Sequence, residues 1–379
     1  MSTPPPEHGS PATANCRFQP IYSLSHRRSV ALEALSASVD QDPTSCLLSS
    51  YCREFALLER TPRWLMIKPA PVSFASAEAR AALLETLEAH QLPSHRIVIA
   101  VSDAALEQSP ELIDALVALK QAGFLLAIDD FGVGPTQLAR LSQLEPDLVK
   151  FDHALLENAA EPGRNRNLLT RLVHLMHEMG ALVVLTGVHN EDNLLIALES
   201  GGDLVQGDYV AEPAATPEDD AAITPRIDAR WDQLMNRELL TRKLTRRHLE
   251  LARQAFVQSA IALMQGTPFT QAATPMLALP DVTRAFLLDQ EGRQLGGNLN
   301  RQRNGNGNRD DKFSPLTDTT GAIWSRRAYF QHAIDQPGVL YMSEPYLSMT
   351  DTRRCITLSM AIEIDETLHV LCTDLLVRH

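Results

Sequence analysis

The sequence predicts an α/β domain followed by a smaller α+β domain. Three observations predict it. Between residues 16 and 213, short apolar runs alternate with longer segments of helical periodicity, as in a mainly parallel sheet covered by helices. A boundary rich in alanine, proline and acids at 212–225 ends that pattern. Beyond it lie one long helical stretch and then a run of strands suited to antiparallel pairing. At 379 residues the chain has room for two domains of ordinary size.

The strands of the first domain are expected at 17–21, 30–35, 64–67, 97–101, 125–128, 148–151, 182–185 and 204–205. Helices fall between most of them. Residues 77–89 place Leu83, Leu84 and Leu87 among alanines. Residues 110–122 repeat Leu112, Ile113, Leu116, Val117 and Leu119, and residues 165–179 repeat Leu168, Leu169, Leu172, Val173 and Met176. Eight strands fit a closed barrel; an open doubly wound sheet fits the same alternation. Residues 1–15, rich in proline and small polar residues, are expected to be a disordered lead.

A connecting helix is expected over 226–266. Arg242, Lys243, Arg246 and Arg247 cluster there and read as a solvated face. Leu234, Leu240, Leu244, Leu251 and Phe256 supply an apolar face for a neighbour or a second subunit, so a homodimer is expected. The last domain, 268–379, opens with the strand Arg284-Ala285-Phe286-Leu287-Leu288-Asp289. Residues 298–311, where Asn and Gly alternate around arginines, read as a mobile loop. A helix at 323–334 and antiparallel strands at 340–348, 355–364 and 368–377 complete an α+β fold.

Several classes are excluded. A formal charge of −13 argues against a general nucleic-acid binder, which needs a basic face. Cys16, Cys46, Cys52, Cys355 and Cys372 form no CxxC pair, which suits a reducing compartment and gives no zinc pattern. No stretch approaches the roughly 18 apolar residues of a membrane span. The first residues lack a basic region followed by an apolar core. A cytoplasmic protein with neither nucleic acid nor membrane as partner is expected.

The segment Ile128-Asp129-Asp130-Phe131-Gly132-Val133-Gly134 carries the most chemistry. An apolar run, 124–128, leads into two adjacent acids, an aromatic and two glycines. That reads as a buried parallel strand delivering two carboxylates to a loop. Adjacent carboxylates are costly unless a cation sits between them. Two solvated loop acids before a glycine turn are the other reading.

Further segments occur in a fixed order around it. They are Phe18-Gln19-Pro20-Ile21, Ala31-Leu32-Glu33-Ala34-Leu35, Val149-Lys150-Phe151-Asp152 and Asp203-Leu204-Val205-Gln206-Gly207-Asp208-Tyr209. The set resembles the EAL-domain family, phosphodiesterases that linearise cyclic di-GMP on a TIM-type barrel. The resemblance covers roughly residues 16–215, and five ordered motifs make it more specific than the Glu33-Ala34-Leu35 triplet alone. It implies a TIM-type barrel whose strand ends hold two divalent cations. Glu33, Asp129, Asp130 and Asp152 then match metal-site acids, and Lys150 matches the lysine near the attacking water. Gln19 and Gln206 match ligand-contacting glutamines.

The departures are equally informative. The family's Asn ligand falls at Lys68, two of its Glu ligands at Ala100 and Thr186, and its phosphate-contacting Arg at Ala37. The segment between Glu33 and Lys68 is also short for the family. Two carboxylates and a neutral oxygen are thereby lost, and a cation is gained. An ammonium a few ångströms from Asp129 competes with metal, a pairing worth up to roughly 4 kcal/mol at an effective dielectric of about 20 before desolvation. Lys68 with Lys150 is expected to neutralise Glu33, Asp129 and Asp130 without metal. An exposed Lys68 with no partner is the plainer reading. His153 and His189 stand where an imidazole can replace a lost ligand, but a loop histidine is more often a surface residue.

The resemblance thus implies a catalytically inactive EAL-like signalling protein working through contacts with a protein partner. A non-catalytic cyclic di-GMP receptor and an active phosphodiesterase are the alternatives. No cofactor is expected, and Mg or Mn only if the site is active. The stretch Trp324…Arg327…Tyr329, followed by Tyr341-Met342-Ser343-Glu344-Pro345-Tyr346, resembles Cache/PAS-type ligand-sensing domains. It implies a pocket near Trp324, Arg327, Tyr341 and Tyr346, where rings exclude water and a guanidinium forks onto a carboxylate. Packing in a core or an interface is the other reading of those aromatics.

Overall fold

A computed structural model describes residues 16–36, 45–58, 64–109, 112–133, 138–161, 163–301, 318–348 and 353–377. Position Ala37, the 1–15 lead and most of the 298–311 loop lie outside the described residues. The chain divides into two compact units, Met1–Arg237 and Glu238–His379.

The first unit is a closed barrel of eight strands in sequence order. They are β1 (Cys16–Ser23), β2 (Arg28–Ser36), β3 (Trp64–Ile67), β4 (Ile97–Ser102), β5 (Leu125–Phe131), β6 (Leu148–Phe151), β7 (Leu182–Leu185) and β8 (Leu204–Val205). Closure settles the choice between a barrel and an open sheet. Strand β1 is antiparallel to both β2 and β8, whereas β2 to β8 run parallel. The helices of this unit are α1 (Ser45–Leu57), α2 (Ala77–Ala89), α3 (Asp103–Gln108), α4 (Leu112–Gln121), α5 (Leu138–Leu144), α6 (His153–Asn158), α7 (Arg164–Glu178) and α8 (Glu191–Ser200).

Two apolar layers hold the barrel. The larger lies between strands and helices and includes Phe18, Leu65, Ile99, Ile128, Val149 and Leu185. The other fills the barrel interior with Ile21, Ala31, Met66, Val98, Ala127, Leu148, Val184 and Leu204. Successive side chains on a strand alternate faces, so the next inward position lies two residues further on. Counting two residues toward the barrel mouth gives Gln19, Glu33, Lys68, Ala100, Asp129, Lys150, Thr186 and Gln206. Period-two geometry alone therefore sets eight positions around one opening.

A helix, α9 (Asp220–Met264), carries chain of both units. Ile223, Ile227 and Leu234 are buried in the first unit's core; Ala252, Phe256, Ala260 and Leu263 are buried in the second's. Lys243, Arg246 and Arg247 are exposed, as a solvated face requires. The apolar residues expected beside them divide: Leu234 and Phe256 are buried, while Leu240, Leu244 and Leu251 are exposed.

The second unit adds α10 (Phe269–Ala272), α11 (Thr274–Leu277) and α12 (Ala328–Asp335) to an antiparallel sheet. Its strands are β9 (Val282–Leu288), β10 (Leu299–Asn300), β11 (Tyr341–Met342), β12 (Tyr346–Leu347), β13 (Arg354–Ile364) and β14 (Thr367–Leu376). The order is β10-β9-β14-β13-β11, with β12 also on β13. The single strand expected at 340–348 is two short ones, because Pro345 lacks the N–H a continuous ladder needs. The helix expected from residue 323 begins at Ala328, with Arg327 extended at its N-cap. One sheet face packs on Phe256, Ala260 and Met276, and the other on Tyr329, Phe330 and Ala333.

Candidate functional site

The barrel mouth gathers acids and ammoniums. Glu33 on β2 faces Lys150 on β6, with Nζ 2.8 Å from Oε1 and 2.9 Å from Oε2. Lys150 Nζ also lies 3.4 Å from Asp129 Oδ1. Lys68, just beyond β3, places its Nζ 3.0 Å from Asp129 Oδ2 and 3.0 Å from Asp130 Oδ2. Both oxygens of Asp129 thus face ammoniums. Glu33, Asp129 and Lys150 are buried, whereas the Lys68 side chain is 45% exposed. The plain reading of Lys68 as a solvated residue without a partner is overturned.

Local backbone geometry makes the double aspartate work as a pair. Strand β5 shifts register between Ile128 and Phe131, and Asp130 takes φ 56°. Aspartate tolerates this left-handed conformation better than most residues. The irregularity lets two consecutive carboxylates reach one ammonium, although alternation sends neighbours to opposite faces. Asp130 N–H also donates to Asp129 Oδ1 at 3.0 Å.

Electrostatics follow from burial and charge. Burial by itself raises the Asp129 carboxyl, but Lys150 and Lys68 outweigh it and hold the group below the usual carboxylate range. Burial pushes the Lys150 ammonium down, and Glu33 and Asp129 more than reverse this. Lys68 is likewise raised, its own burial being outweighed by Asp129 and Asp130. Asp129 and the two lysines thus favour one another's charged forms.

Glutamines continue the network. Gln206 Nε2 donates to Glu33 Oε2 at 2.5 Å and to Gln19 Oε1 at 3.1 Å. Gln19 Nε2 donates to Asp208 Oδ1 and to Ala211 O, each at 3.2 Å. Asp208 is a contact that sequence reading left without a role; its signal was a carboxylate two residues after Gln206. The buried Oε1 of Gln206 has no partner among the described residues. Gly207 keeps this turn tight: at φ 156° its added Cβ would lie 2.4 Å from Val188 N and O.

Other expected site residues are elsewhere engaged. Asp152 caps α6 by accepting from Ala154 N at 2.8 Å and pairs with His153 Nδ1 at 3.1 Å. His189 Nδ1 is 3.8 Å from Asp208 Oδ2. Among the described residues none of these three bonds to Glu33, Asp129 or Asp130. Ala100 is fully buried in the interior layer, and Thr186 Oγ1 donates to Phe151 O at 2.7 Å. Among the described residues no three His, Cys, Asp or Glu side chains converge at metal-ligand spacing. Hard divalent cations need several oxygen ligands each. A donor set whose carboxylates already bond two lysines does not fit a pair of them.

In the second unit a cavity of about 20 Å³ is lined by Arg284, Trp324, Arg327, Tyr346 and Asp374, among others. Tyr341 does not line it; its ring stacks on His332 at 4.2 Å, because β11 turns it toward α12. Arg284 and Asp374 are lining residues that sequence reading missed. Their signal was a charge inside an otherwise apolar strand. No described helix is long and apolar enough to cross a membrane.

Residues 38–213 match the family profile described as the EAL domain. The EAL-domain containing protein YkuI of Bacillus subtilis is 24% identical over 253 residues, 65% of this chain and 60% of the relative. The cyclic di-GMP phosphodiesterase RocR of Pseudomonas aeruginosa is 30% identical over 142 residues, 37% of this chain and 36% of the relative. The chain therefore spans less than two thirds of the length of these curated relatives. A crystal structure of YkuI, in complex with substrate cyclic di-GMP and calcium, shares the fold at TM-score 0.76 and 19% identity, covering 96% of each chain. The match to the EAL domain profile lies within the first unit.

Proposed function

We propose that this EAL domain is degenerate: it does not hydrolyse cyclic di-GMP and signals through contacts with a protein partner. One observation carries the reading. Lys68 and Lys150 occupy the carboxylate oxygens that a metal-dependent phosphodiesterase would offer to its cations. Such cations position water and neutralise charge developing on the phosphodiester. Ala100 and Thr186 add no carboxylate to replace what the lysines take. On this reading Glu33, Asp129, Asp130 and Asp152 are metal-free, and Lys150 is a counter-ion instead of a catalytic group.

A non-catalytic cyclic di-GMP receptor is the second reading. It is favoured by the linked side chains of Gln19, Gln206 and Glu33, and by the nucleotide complex of YkuI. Incubating purified protein with cyclic di-GMP, with and without Mg²⁺ or Mn²⁺, tests both. No linear product is expected under any condition. Turnover that Asp129→Ala abolishes would sink the proposal, whereas saturable binding without turnover would select the receptor.

For the second unit we propose a PAS/Cache-like fold acting as a sensor or a dimerisation module, with residues 16–215, 226–266 and 268–379 as the working division of a cytoplasmic protein. Exposed Leu240, Leu244 and Leu251 on α9 support a homodimer. Leu244→Glu is expected to lower the mass measured by light scattering if that seam exists.

A further inference from the structure

We propose that the cavity of the second unit is a binding site for a short-chain monocarboxylate. The inference deepens the sensor reading just given, and rests on it. Its starting point is a pair of charges in an unusual place. Arg284 on β9 and Asp374 on β14 are register partners in the middle of the sheet, 4% and 3% exposed. Arg284 Nε lies 2.9 Å from Asp374 Oδ2, and its Nη2 donates to Ser348 Oγ at 2.9 Å. A buried pair of this kind gives little net stability over apolar residues of the same size, so its presence calls for another use.

The neighbouring groups show which use. The sheet face that carries Arg284 and Asp374 is apolar at its other end, where Phe286, Leu288, Val370 and Cys372 pack on α12. The buried charges lie at the end beside the cavity. Thr357 Oγ1 and Asp374 Oδ1 are 2.7 Å apart, and Tyr346 Oη lies 2.7 Å from Thr357 Oγ1. Asp374 is therefore fully engaged by arginine and hydroxyls. Arg327 is a second cation on the same cavity, lying over the Tyr346 ring at 5.4 Å, with no ion pair among the described residues. The lining charges are thus two arginines against one aspartate, which leaves one positive charge for a ligand to match.

A polar group also waits there. Thr319 lines the cavity at 5% exposure, and its Oγ1 has no hydrogen-bond partner among the described residues. A buried polar atom without a partner is costly unless something else satisfies it. Trp324 closes one wall, its Nε1 held by Gln294 Oε1 at 3.0 Å. A carboxylate fits this constellation: the Arg327 fork takes its oxygens, Thr319 donates one hydrogen bond, and the Trp324 and Tyr346 rings cover a short apolar tail. The cavity holds about one water as it stands, at about 20 Å³. Trp324 and Arg327 are only half-buried, so acetate enters by moving them outward.

Trp324 supplies a local readout, since the chain has two other tryptophans, Trp64 and Trp231. Sodium acetate is titrated into full-length protein carrying Trp64→Phe and Trp231→Phe, with sodium chloride as the matched control. Calorimetric titration of the unsubstituted protein runs in parallel. A saturable response to acetate but not chloride is expected, with a dissociation constant on the order of 0.1–10 mM for so small a ligand. Arg327→Gln and Thr319→Val, both at the cavity rim or wall and outside the buried ion pair, are each expected to weaken binding about tenfold or more. Equal responses to chloride and acetate would overturn the proposal. So would a response to methylammonium in place of acetate, binding unchanged in both variants, or silence in both titrations. Cyclic di-GMP hydrolysis is read at the barrel, so failure here leaves the reading of an inactive barrel standing, and the reverse.

Discussion

Two charged clusters among the described residues, one at the barrel mouth and one within the sheet of the second unit, have opposite balances. At the barrel mouth three carboxylates, Glu33, Asp129 and Asp130, meet two ammoniums, Lys68 and Lys150. The surplus is negative and sits on Asp130, 47% exposed, where water screens it. In the second unit two guanidiniums meet one carboxylate, and the surplus positive charge lies over an aromatic ring. A cluster whose buried charges already match has little left to offer an ionic ligand. A cluster with a spare, partly desolvated cation does. The barrel mouth meets its buried carboxylates with its own ammoniums, while the sheet of the second unit holds its surplus charge beside a cavity.

The largest expected effects come from breaking the buried pair in either cluster. Lys150→Met leaves Glu33 and Asp129 buried without their shared cation and is expected to cost about 3–5 kcal/mol. Arg284→Met strands Asp374 in the same way, with a similar cost. Adding Glu33→Gln to Lys150→Met is expected to recover part of the loss, because one uncompensated charge is removed. Denaturant unfolding of the full chain, followed separately through Trp64 and Trp324 in single-tryptophan backgrounds, measures each. A loss below about 1 kcal/mol for Lys150→Met would mean that water reaches the cluster and the comparison fails.

Much of the barrel was legible in the sequence, and for a definite reason. Parallel strands buried on both faces must be apolar throughout, so any polar residue at their C-terminal ends stands out against the run. Glu33, Asp129, Lys150 and Gln206 were visible in this way, and Lys68 was visible as a charge closing Leu65-Met66-Ile67. The Asp130 conformation was not, because a register shift depends on how two strands pair and leaves no mark in one of them. The second unit was harder to read. Arg284 and Asp374 are 90 residues apart and acquire meaning only when β9 and β14 align them. Of the aromatics singled out instead, Trp324 and Tyr346 line the cavity, whereas Tyr341 stacks on His332.

A smaller effect separates the half-exposed lysine from the buried one. Lys68→Asn is expected to change stability by no more than about 1 kcal/mol, since its side chain is 45% exposed and its pairings are screened. Its consequence for ligands is larger. Removing the ammonium leaves Asp129 and Asp130 facing one oxygen donor, so weak Mn²⁺ binding is expected to appear in calorimetric titration. Hydrolysis is not expected to return, because Ala100 and Thr186 still supply no carboxylate. Mn²⁺ binding of equal strength in wild type and variant would show that Lys68 does not compete for the site.

The smallest expected effect is on pH dependence, where the two units differ on the acid side. Asp129 has its carboxyl held below the usual range of about 3.9 by Lys150 and Lys68. A depressed carboxyl stabilises the fold above its unfolded value, and the contribution is lost as pH falls through the folded value. The barrel is therefore expected to lose stability progressively below about pH 4. Lys68 and Lys150 are raised, so their contribution is present below about pH 10.4 and is lost as pH rises through the folded values. In the second unit, burial pushes the Tyr329 and Tyr346 phenols up, so ionisation in the unfolded chain draws the fold apart above about pH 10. Alkali thus weakens both units, but the acid limb from Asp129 belongs to the barrel. Comparing wild type with Asp129→Asn from pH 3 to pH 6 tests it. The gap between them should widen from pH 3 to pH 6, as the carboxyl loses its proton in the unfolded chain as well. A gap that stays constant across that range would show that the charge of Asp129 does not stabilise the mouth, and that the two clusters differ in more than their balance.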